Sequence, residues 1–537
     1  MCSSDLSPCF SISGACGAAL LALEAVGDGP SKFTGFVASP DDRTDAVAED
    51  VRRNTEEYRS QEKALLSGYD GTIDPAKETV GIPFVLTMHR FFPLFNTFFK
   101  ELGYNVILSE LTNDNTIQLA SAYSRGETCY PMKLVYGHIM ELVQKGVDYV
   151  FLPNVRSVTQ SVGAVQDSTD YNCVYTQAAP RAIAKILQLE EKGITFLNPA
   201  IDPNLEGELI SRMVLDVGLK LGRDESLCNE ALLKGLAEYR KVREGAIEQG
   251  RKLIEGLGAD EKVMVMVSRH NNVCDPALNL GIPDMLLERG FRIIKLEDLP
   301  VNDISLEAEY PHLSWPFGQH IIAGARMIAH HPNLYAIYLT NHGCGPDSML
   351  SHMLRQEMGD KPFLQIEVDE HYSKVGVVTR VEAFLNSISH RDVSELPEDF
   401  RLTDVEDHDI QISDAPPDDP TAIVYVPDLG RYTKYICEYL NTALGLNAQP
   451  LDPIREFQMA IGRSGCMGTE YLPFTGLFGS AFYDCMYGWH KKKKQYHYLI
   501  PPSRGAEADS QYARAIRSEL DRRGYTKYGI WAPPLEL

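Results

Sequence analysis

Three cysteines with turn-forming neighbours carry the chemistry this sequence is best suited to. Cys129 lies in Gly126-Glu127-Thr128-Cys129-Tyr130-Pro131, Cys173 in Tyr171-Asn172-Cys173, and Cys344 in Asn341-His342-Gly343-Cys344-Gly345-Pro346-Asp347-Ser348. Apolar, strand-like runs lie upstream of two of them, 148–153 ahead of Cys173 and 334–340 ahead of Cys344, so each cysteine is expected where a strand gives way to a loop or helix. Glycine or proline beside Cys129 and Cys344 permits tight turns that aim a side chain into a cleft. Thiolates presented this way can hold an iron–sulfur cluster, and three of them on a four-iron cube leave one iron open for chemistry. Against this, a free cysteine ordinarily packs as a small buried hydrophobe, and no Cys-x-x-Cys pattern supports ligation here. Spacing alone leaves both readings open.

Other polar groups cluster near these positions. Glu367, Asp369, Glu370, His371, Thr379, Arg380 and Glu382 follow a strand-like run within a short span. Such a stretch is ordinarily a charged loop, and a hard-ion site at Asp369, Glu370 and His371 would need converging ligands, which adjacent residues rarely provide. A third use is to orient the Cys344 loop through hydrogen bonds. His89-Arg90 and Arg269-His270-Asn271 follow predicted first strands of their units, a placement that suits either anion binding or ordinary capping and surface charge. Zinc is a further option, because the three cysteines with His342 or His371 could complete a tetrahedron, although the spacing gives no zinc signature. The sequence has no Gly-x-x-x-x-Gly-Lys-Ser/Thr loop, no dinucleotide fingerprint and no assignable Ser/His/Asp set.

With 537 residues, the chain has material for about three to four domains. A formal net charge of -23 and a pI near 5.1 argue against a general affinity for nucleic acid or anionic membrane. The Lys491-Lys494 run reads as a solvated loop before a strand. The apolar stretch 15–26 lacks a basic leader and is too short to span a bilayer. Eleven cysteines without regular spacing fit a reducing cytoplasm better than a disulfide framework, and an oxygen-free one would best suit an exposed cluster.

The elements that must position the cysteines alternate between strand and helix. A strand is expected at 79–86, a helix at 89–102, a strand at 105–109, a helix at 131–145 and a strand at 149–152. A second unit opens with the apolar run 262–267, followed by a helix at 283–289, a strand at 292–295, a helix at 320–330 and strands at 334–339 and 363–367. A third has strands at 423–426 and 496–500 around a helical segment. The resulting division is a terminal helix in 1–27, a linker at 28–78 with one helix at 45–66, a first α/β domain at 79–204 and a helical connector at 205–257. A second α/β domain follows at 258–392, then an acidic linker at 393–420 and a third domain at 421–537. The fold class is α/β with consecutive doubly wound parallel sheets, in which ligands gather beyond the carboxyl ends of the strands.

Taken together, Val80-Gly81-Ile82-Pro83, Glu127-Thr128-Cys129-Tyr130-Pro131-Met132-Lys133, Gly137-His138, Tyr171-Asn172-Cys173, Leu339 to Ser348 and Asp369-Glu370-His371 resemble a known family. It is that of the large fused acyl-CoA dehydratase activases, in the region after their ATP-binding modules. That region is related to 2-hydroxyacyl-CoA dehydratase subunits and double-cubane cluster proteins. The similarity runs from about residue 79 to the end, and 13–25 with 31–36 resembles the closing helix of the activase module. The resemblance implies a fold of 2-hydroxyacyl-CoA dehydratase type and low-potential electron transfer. In that scheme an ATP-driven activase partner reduces a cluster, expected to be 4Fe-4S, which acts on a substrate such as a CoA thioester. It assigns the cluster to Cys129, Cys173 and Cys344, with Glu127, Asp347 and 369–371 ordering the surroundings, and it implies no ATP binding on this chain alone.

The third unit departs from the pattern. Relatives carry Glu-Cys-Leu-Pro where this chain has Glu470-Tyr471-Leu472-Pro473, and Gly-Pro-Cys-Arg-Phe-Gly-Gln-Tyr where it has Gly505 to Tyr512. Two thiols are replaced, Cys466 survives beside the first motif, Cys485 has no counterpart, and relatives continue beyond Leu537. This makes a second cluster doubtful and leaves an alternative, a docking scaffold that has lost its metal chemistry.

Overall fold

The computed structural model describes residues 45–126, 128–156, 171–201, 207–301, 304–306, 309–310, 313–389, 412–488, 495–503, 507–525 and 527–533. The expected helix near residues 13–25, Glu127, most of the acidic linker and the Lys491-Lys494 run lie outside the described residues. Residues 50–537 form one compact unit.

Three parallel sheets succeed one another along it. In the first, β1 (Thr79–Ile82), β2 (Asn105–Leu108), β3 (Tyr149–Phe151) and β5 (Thr195–Leu197) stand in the order β2-β1-β3-β5. A short parallel ribbon of β4 (Asn154–Val155) and β6 (Ala200–Ile201) extends it. In the second, β7 (Val263–Val267), β8 (Arg292–Lys295), β9 (Leu334–Asn341) and β10 (Leu364–Val368) stand in the order β10-β9-β7-β8. The third holds β11 (Ile412–Ser413), β12 (Ile423–Val426), β13 (Asn447–Pro450), β14 (Tyr496–Leu499) and β15 (Gly529–Trp531) in the order β11-β15-β14-β12-β13. In every sheet an interior strand has its next strand in sequence on one side and a later one on the other, so β1/β3, β7/β9 and β12/β14 mark topological switch points.

The sequence explains these elements locally. β7 and β9 are buried along their whole length, which is why they read as unbroken apolar runs instead of alternating ones. The helix Met88–Glu101 buries Met88, Phe92, Phe95 and Phe99, a helical stripe facing the first sheet. The helices of the expected connector are Gly207–Lys220 and Glu225–Glu255.

The longer of these fastens two sheet units together. A Cβ on Gly235 would lie 2.6 Å from the carbonyl oxygen of Leu94 in the first unit, and one on Gly250 would lie 2.0 Å from that of Asp298 in the second. Two glycines fifteen residues apart thus let one helix press on the backbone of both neighbours. A buried polar chain adds to this clasp. Phe84 N–H donates to Ser109 Oγ at 2.8 Å, Ser109 meets His138 Nδ1 at 2.7 Å, His138 Nε2 meets Thr112 Oγ1 at 2.8 Å, and Thr112 donates to Asp275 of the second unit at 2.6 Å. Burial lowers the His138 pKa to about 3, so the chain runs through a neutral imidazole.

The third unit is joined by a buried histidine. His352, on the helix Gly345–Met358, contacts Glu470 at 2.7 Å and Glu519 at 3.0 Å. Burial alone would lower its pKa, but the two carboxylates raise it on balance, and Arg522 and Arg523 complete the cluster at Glu519.

Several expected boundaries move. The strand expected at 79–86 ends at Ile82 because Pro83 breaks the ladder, and the helix expected at 320–330 begins at Pro316. The segment read as a linker at 28–78 contains the helix Asp45–Leu65 as expected, but Tyr58 is buried and Asn54 donates to Gly290 O at 2.9 Å. From residue 50 it is therefore packed structure. The acidic linker ends in β11, which pairs with β15.

The clasp predicts opposite outcomes for two glycines on one helix. Gly250→Ala forces a Cβ onto a carbonyl oxygen and should cost about 1–3 kcal/mol in denaturant unfolding. Gly245→Ala, exposed and with no atom within 4 Å of a Cβ, should be stabilising by about 0.5–1 kcal/mol. Equal effects at the two sites would contradict the clasp.

Candidate cysteine-lined site

Cys129, Cys173 and Cys344 all occupy the N-cap position of a helix, respectively Tyr130–Gln144, Val174–Leu187 and Gly345–Met358. None of the three side chains caps its helix, so the sulfurs are left for other use. Proline in the first turn of the Cys129 and Cys344 helices presets the entry geometry. All three cysteines line a single cavity of about 90 Å³, room for several waters by volume. Its walls include Leu86 and Arg90 after β1, Ser268 and Arg269 after β7, and Asn341 with Cys344 at the end of β9. The cavity therefore lies where the carboxyl ends of the interior strands of the first two sheets face one another.

The expected approach of strand to cysteine holds for Cys344 alone. Cys129 is reached from the helix Asp114–Tyr123, and Cys173 lies well beyond β4. The Cys173 segment is anchored by backbone: Tyr171 N–H donates to Ser314 O at 2.9 Å and Asn172 N–H to Arg156 O at 2.8 Å. The Asn172 side chain adds a 2.9 Å bond to Val155 O.

Arg269 governs the electrostatics. Its guanidinium pairs with Asp347 at 2.6 Å, donates to Cys344 Sγ at 3.3 Å and stacks over Phe317 at 4.3 Å. Asp347 in turn accepts from the backbone and side-chain nitrogens of Asn341, at 2.9 and 3.2 Å. Burial opposes the Arg269 charge, but Asp347, then Cys344 and Cys173, hold its pKa above the ordinary value. Burial pushes the Cys129 thiol up to about 12, with Cys173 adding to the rise and Arg269 opposing it. Cys344 is likewise raised by burial and pulled back by Arg269. Burial thus favours the neutral thiols at Cys129 and Cys344, and the one guanidinium beside them works in the opposite direction.

The opposite wall is a second buried charge cluster. Arg90 donates to Tyr239 at 2.9 Å, and Glu297 pairs with Arg243 at 3.0 Å and Arg90 at 3.8 Å. Burial opposes ionisation of Glu297, but Arg243 and Arg90 hold its pKa well below the usual range. His270 and His320 also line the cavity, and burial lowers both pKa values, that of His270 to about 3. Leu86 adopts φ 49°, a left-handed conformation that costs a non-glycine residue about 1–3 kcal/mol and recurs at functional sites.

Several sequence expectations resolve differently. Arg90 and Arg269 face the cavity, but their charges are committed to Glu297 and Asp347 and are not held out for a phosphate. His342 is exposed and pairs with Glu367 at 2.6 Å, while Asp369 accepts from the His371 backbone at 2.9 Å. Glu370 bonds Lys133 at 2.7 Å, on the helix headed by Cys129. Among the described residues no three His, Cys, Asp or Glu side chains form a group that could hold a single metal ion. Cys466 lies 3.7 Å from the Thr475 hydroxyl and Cys485 lies 3.4 Å from that of Tyr498; neither lines the cavity. Glu297 and His320 were not singled out from sequence, although an acidic pair directly after a buried strand, at Glu297-Asp298, was a usable signal.

Residues 79–299 match the family model described as the CoA enzyme activase uncharacterised domain. This stretch is similar to that uncharacterised domain of CoA enzyme activases. It contains Cys129, Cys173 and Arg269, while Cys344 lies beyond it. Comparison with curated proteins finds no match. Among solved structures, glucosamine-6-phosphate deaminase from Thermotoga maritima is 12% identical over 66% of this chain and 98% of its own, with a TM-score of 0.16. The C-terminal domain of glucosamine-fructose-6-phosphate aminotransferase from Francisella tularensis is 8% identical over 67% of this chain and 100% of its own, with a TM-score of 0.18. Scores this low assign neither fold nor function. No helix among the described residues is long and apolar enough to cross a membrane.

The Arg269–Asp347 pair gives a direct test of the site's electrostatics. Arg269→Met strands a buried carboxylate and should cost about 3–5 kcal/mol in urea unfolding, whereas Arg269→Met with Asp347→Leu should recover much of that loss. An equal loss in single and double variants would remove the pair as an organising interaction.

Proposed function

We propose that this protein is an iron–sulfur electron-transfer or reductase component, related to the 2-hydroxyacyl-CoA dehydratase system, with its cluster on Cys129, Cys173 and Cys344. The observation that supports this most is the lining of one cavity by three helix-capping cysteines whose side chains make no cap. The donor set fits. A cluster spreads its thiolate ligands over several metal atoms, so it calls for sulfurs around a common volume, and the three cysteines line one cavity.

When bound, a four-iron cluster supplies low-potential one-electron chemistry. The chain's own residues would serve it in stated ways. Arg269 offsets the negative charge of the thiolates and directs an N–H at Cys344 Sγ, a contact of the kind that tunes potential. Met132, Pro131 and Phe317 present apolar surface that limits water. Glu370 holds the Cys129 helix through Lys133. The proposed electron donor is an ATP-dependent activase and the proposed substrate a small CoA thioester, and the similarity of residues 79–299 to a domain of CoA enzyme activases supports an activase partner or CoA substrate in general.

A docking scaffold is the second reading, favoured by the third unit, where Tyr471 stands in place of a thiol and Cys466 packs beside Thr475. Anaerobic reconstitution of variants separates the two. Cys344→Ala should lose its iron while Cys228→Ala, fully buried in the connector helix, should retain it. Cys466→Ala should cost less iron than Cys129→Ala. Equal iron in wild type and Cys344→Ala would sink the ligand assignment.

A further inference from the structure

We infer that a second, polar cavity beside the carboxyl end of β8 binds a small zwitterion of the α-amino acid class. The cavity measures about 170 Å³, room for about five waters, and so for a molecule of about that many heavy atoms. Three elements wall it. The helix Asp45–Leu65 brings Gln61, the helix Glu225–Glu255 brings Arg243, and the second sheet brings His270 after β7 with Lys295 and Asp298 around the end of β8. The cavity thus lies beyond the carboxyl ends of parallel strands, where doubly wound folds collect ligands. His270 also lines the cysteine cavity, so the two share a wall.

Most charges around this second cavity are committed within the protein. Glu238 accepts from Ser67 at 2.6 Å and from Lys241 at 3.3 Å, and Arg243 pairs with Glu297 at 3.0 Å. Two opposite charges are left over at the floor, where Lys295 is 3% exposed and Asp298 is 5% exposed. The Lys295 ammonium lies 4.7 Å from the centre of the Tyr58 ring, and among the described residues no carboxylate stands at ion-pair distance from it. Asp298 Oδ2 is buried without a hydrogen-bond partner, and so are Gln61 Oε1 and His270 Nδ1. Gln61 is itself only 5% exposed.

Buried polar groups are ordinarily hydrogen-bonded, and an unpaired buried charge is costlier still. Here an ammonium and a carboxylate face one cavity but do not meet. A molecule that satisfies both carries an anionic oxygen at one end and N–H donors at the other. An α-amino acid does this, its carboxylate accepting from Lys295 and its ammonium donating to Asp298 and to the Gln61 carbonyl. A simple anion would leave Asp298 unanswered, and a simple cation would leave Lys295 so. Ala64, Gly245 and Gln249, all exposed, form the mouth through which the molecule enters.

This site does not depend on the cluster, and metal-free full-length protein suffices to test it. Isothermal titration calorimetry should show saturable binding of glycine and L-alanine, with acetate and methylammonium weaker by about tenfold or more. Lys295→Met and Asp298→Asn should each weaken glycine binding by about tenfold or more. Removing an unpaired charge strands no partner, so Lys295→Met should unfold in urea no more readily than wild type. The near-isosteric Asp298→Asn carries the test by itself should Lys295→Met fail to fold. Wild-type protein that binds neither amino acid, as a cavity holding water alone would behave, overturns the inference. Acetate binding as tightly as glycine, or variants that bind like wild type, would overturn it as well.

Discussion

A guanidinium buried among thiols is the constraint around which the rest of this molecule is arranged. Arg269 cannot keep its charge away from water without a carboxylate, and Asp347 supplies one at 2.6 Å. Asn341 in turn offers Asp347 two N–H donors. Those three residues come from the carboxyl ends of β7 and β9 and the first turn after β9, so the ion pair spans the switch point of the second sheet. The consequence reaches Cys344, whose sulfur accepts from the same guanidinium. A site so built holds positive charge beside the Cys344 sulfur, which lessens the cost of deprotonating that thiol.

The first two sheets can share such a site only if they are held in fixed register. The helix Glu225–Glu255 does this through close backbone contacts at Gly235 and Gly250, and the His138–Thr112–Asp275 chain does it through hydrogen bonds between buried groups. Both devices leave no room for a shift of even a methyl group. Among the described residues, the third sheet and its helices contribute no side chain to the cavity wall. It acts through His352 and its two carboxylates, which draw the N-terminus of the helix Leu472–Tyr487 toward that of the Cys344 helix.

Much of the scaffold was legible in the sequence because parallel strands announce themselves. The runs at β7 and β9 are apolar throughout, and the Phe-rich stripe of Met88–Glu101 has helical spacing. The turn residues beside Cys129 and Cys344 likewise pointed to helix entries. What could not be read was partnership at a distance. Nothing local to Arg269 reveals that Asp347 lies against it, and nothing near Glu297 reveals Arg90 and Arg243. At 369–371 the stretch reads from sequence as an ordinary charged loop, and in the structure Asp369 accepts from the His371 backbone while Glu370 bonds Lys133. The segment from residue 50 to 78 resembled a linker because its composition is polar, while the few residues that dock it, Tyr58 and Asn54, are widely spaced among charges.

The central claim, that three cysteines from separate helices form a single cluster site, is tested most directly by iron and acid-labile sulfide analysis of wild-type protein prepared without oxygen, with an electron paramagnetic resonance spectrum after reduction. The account predicts about four of each per chain and the signal of a single reduced cube. Folded protein that holds no iron after reconstitution, and gives no such signal, would contradict it.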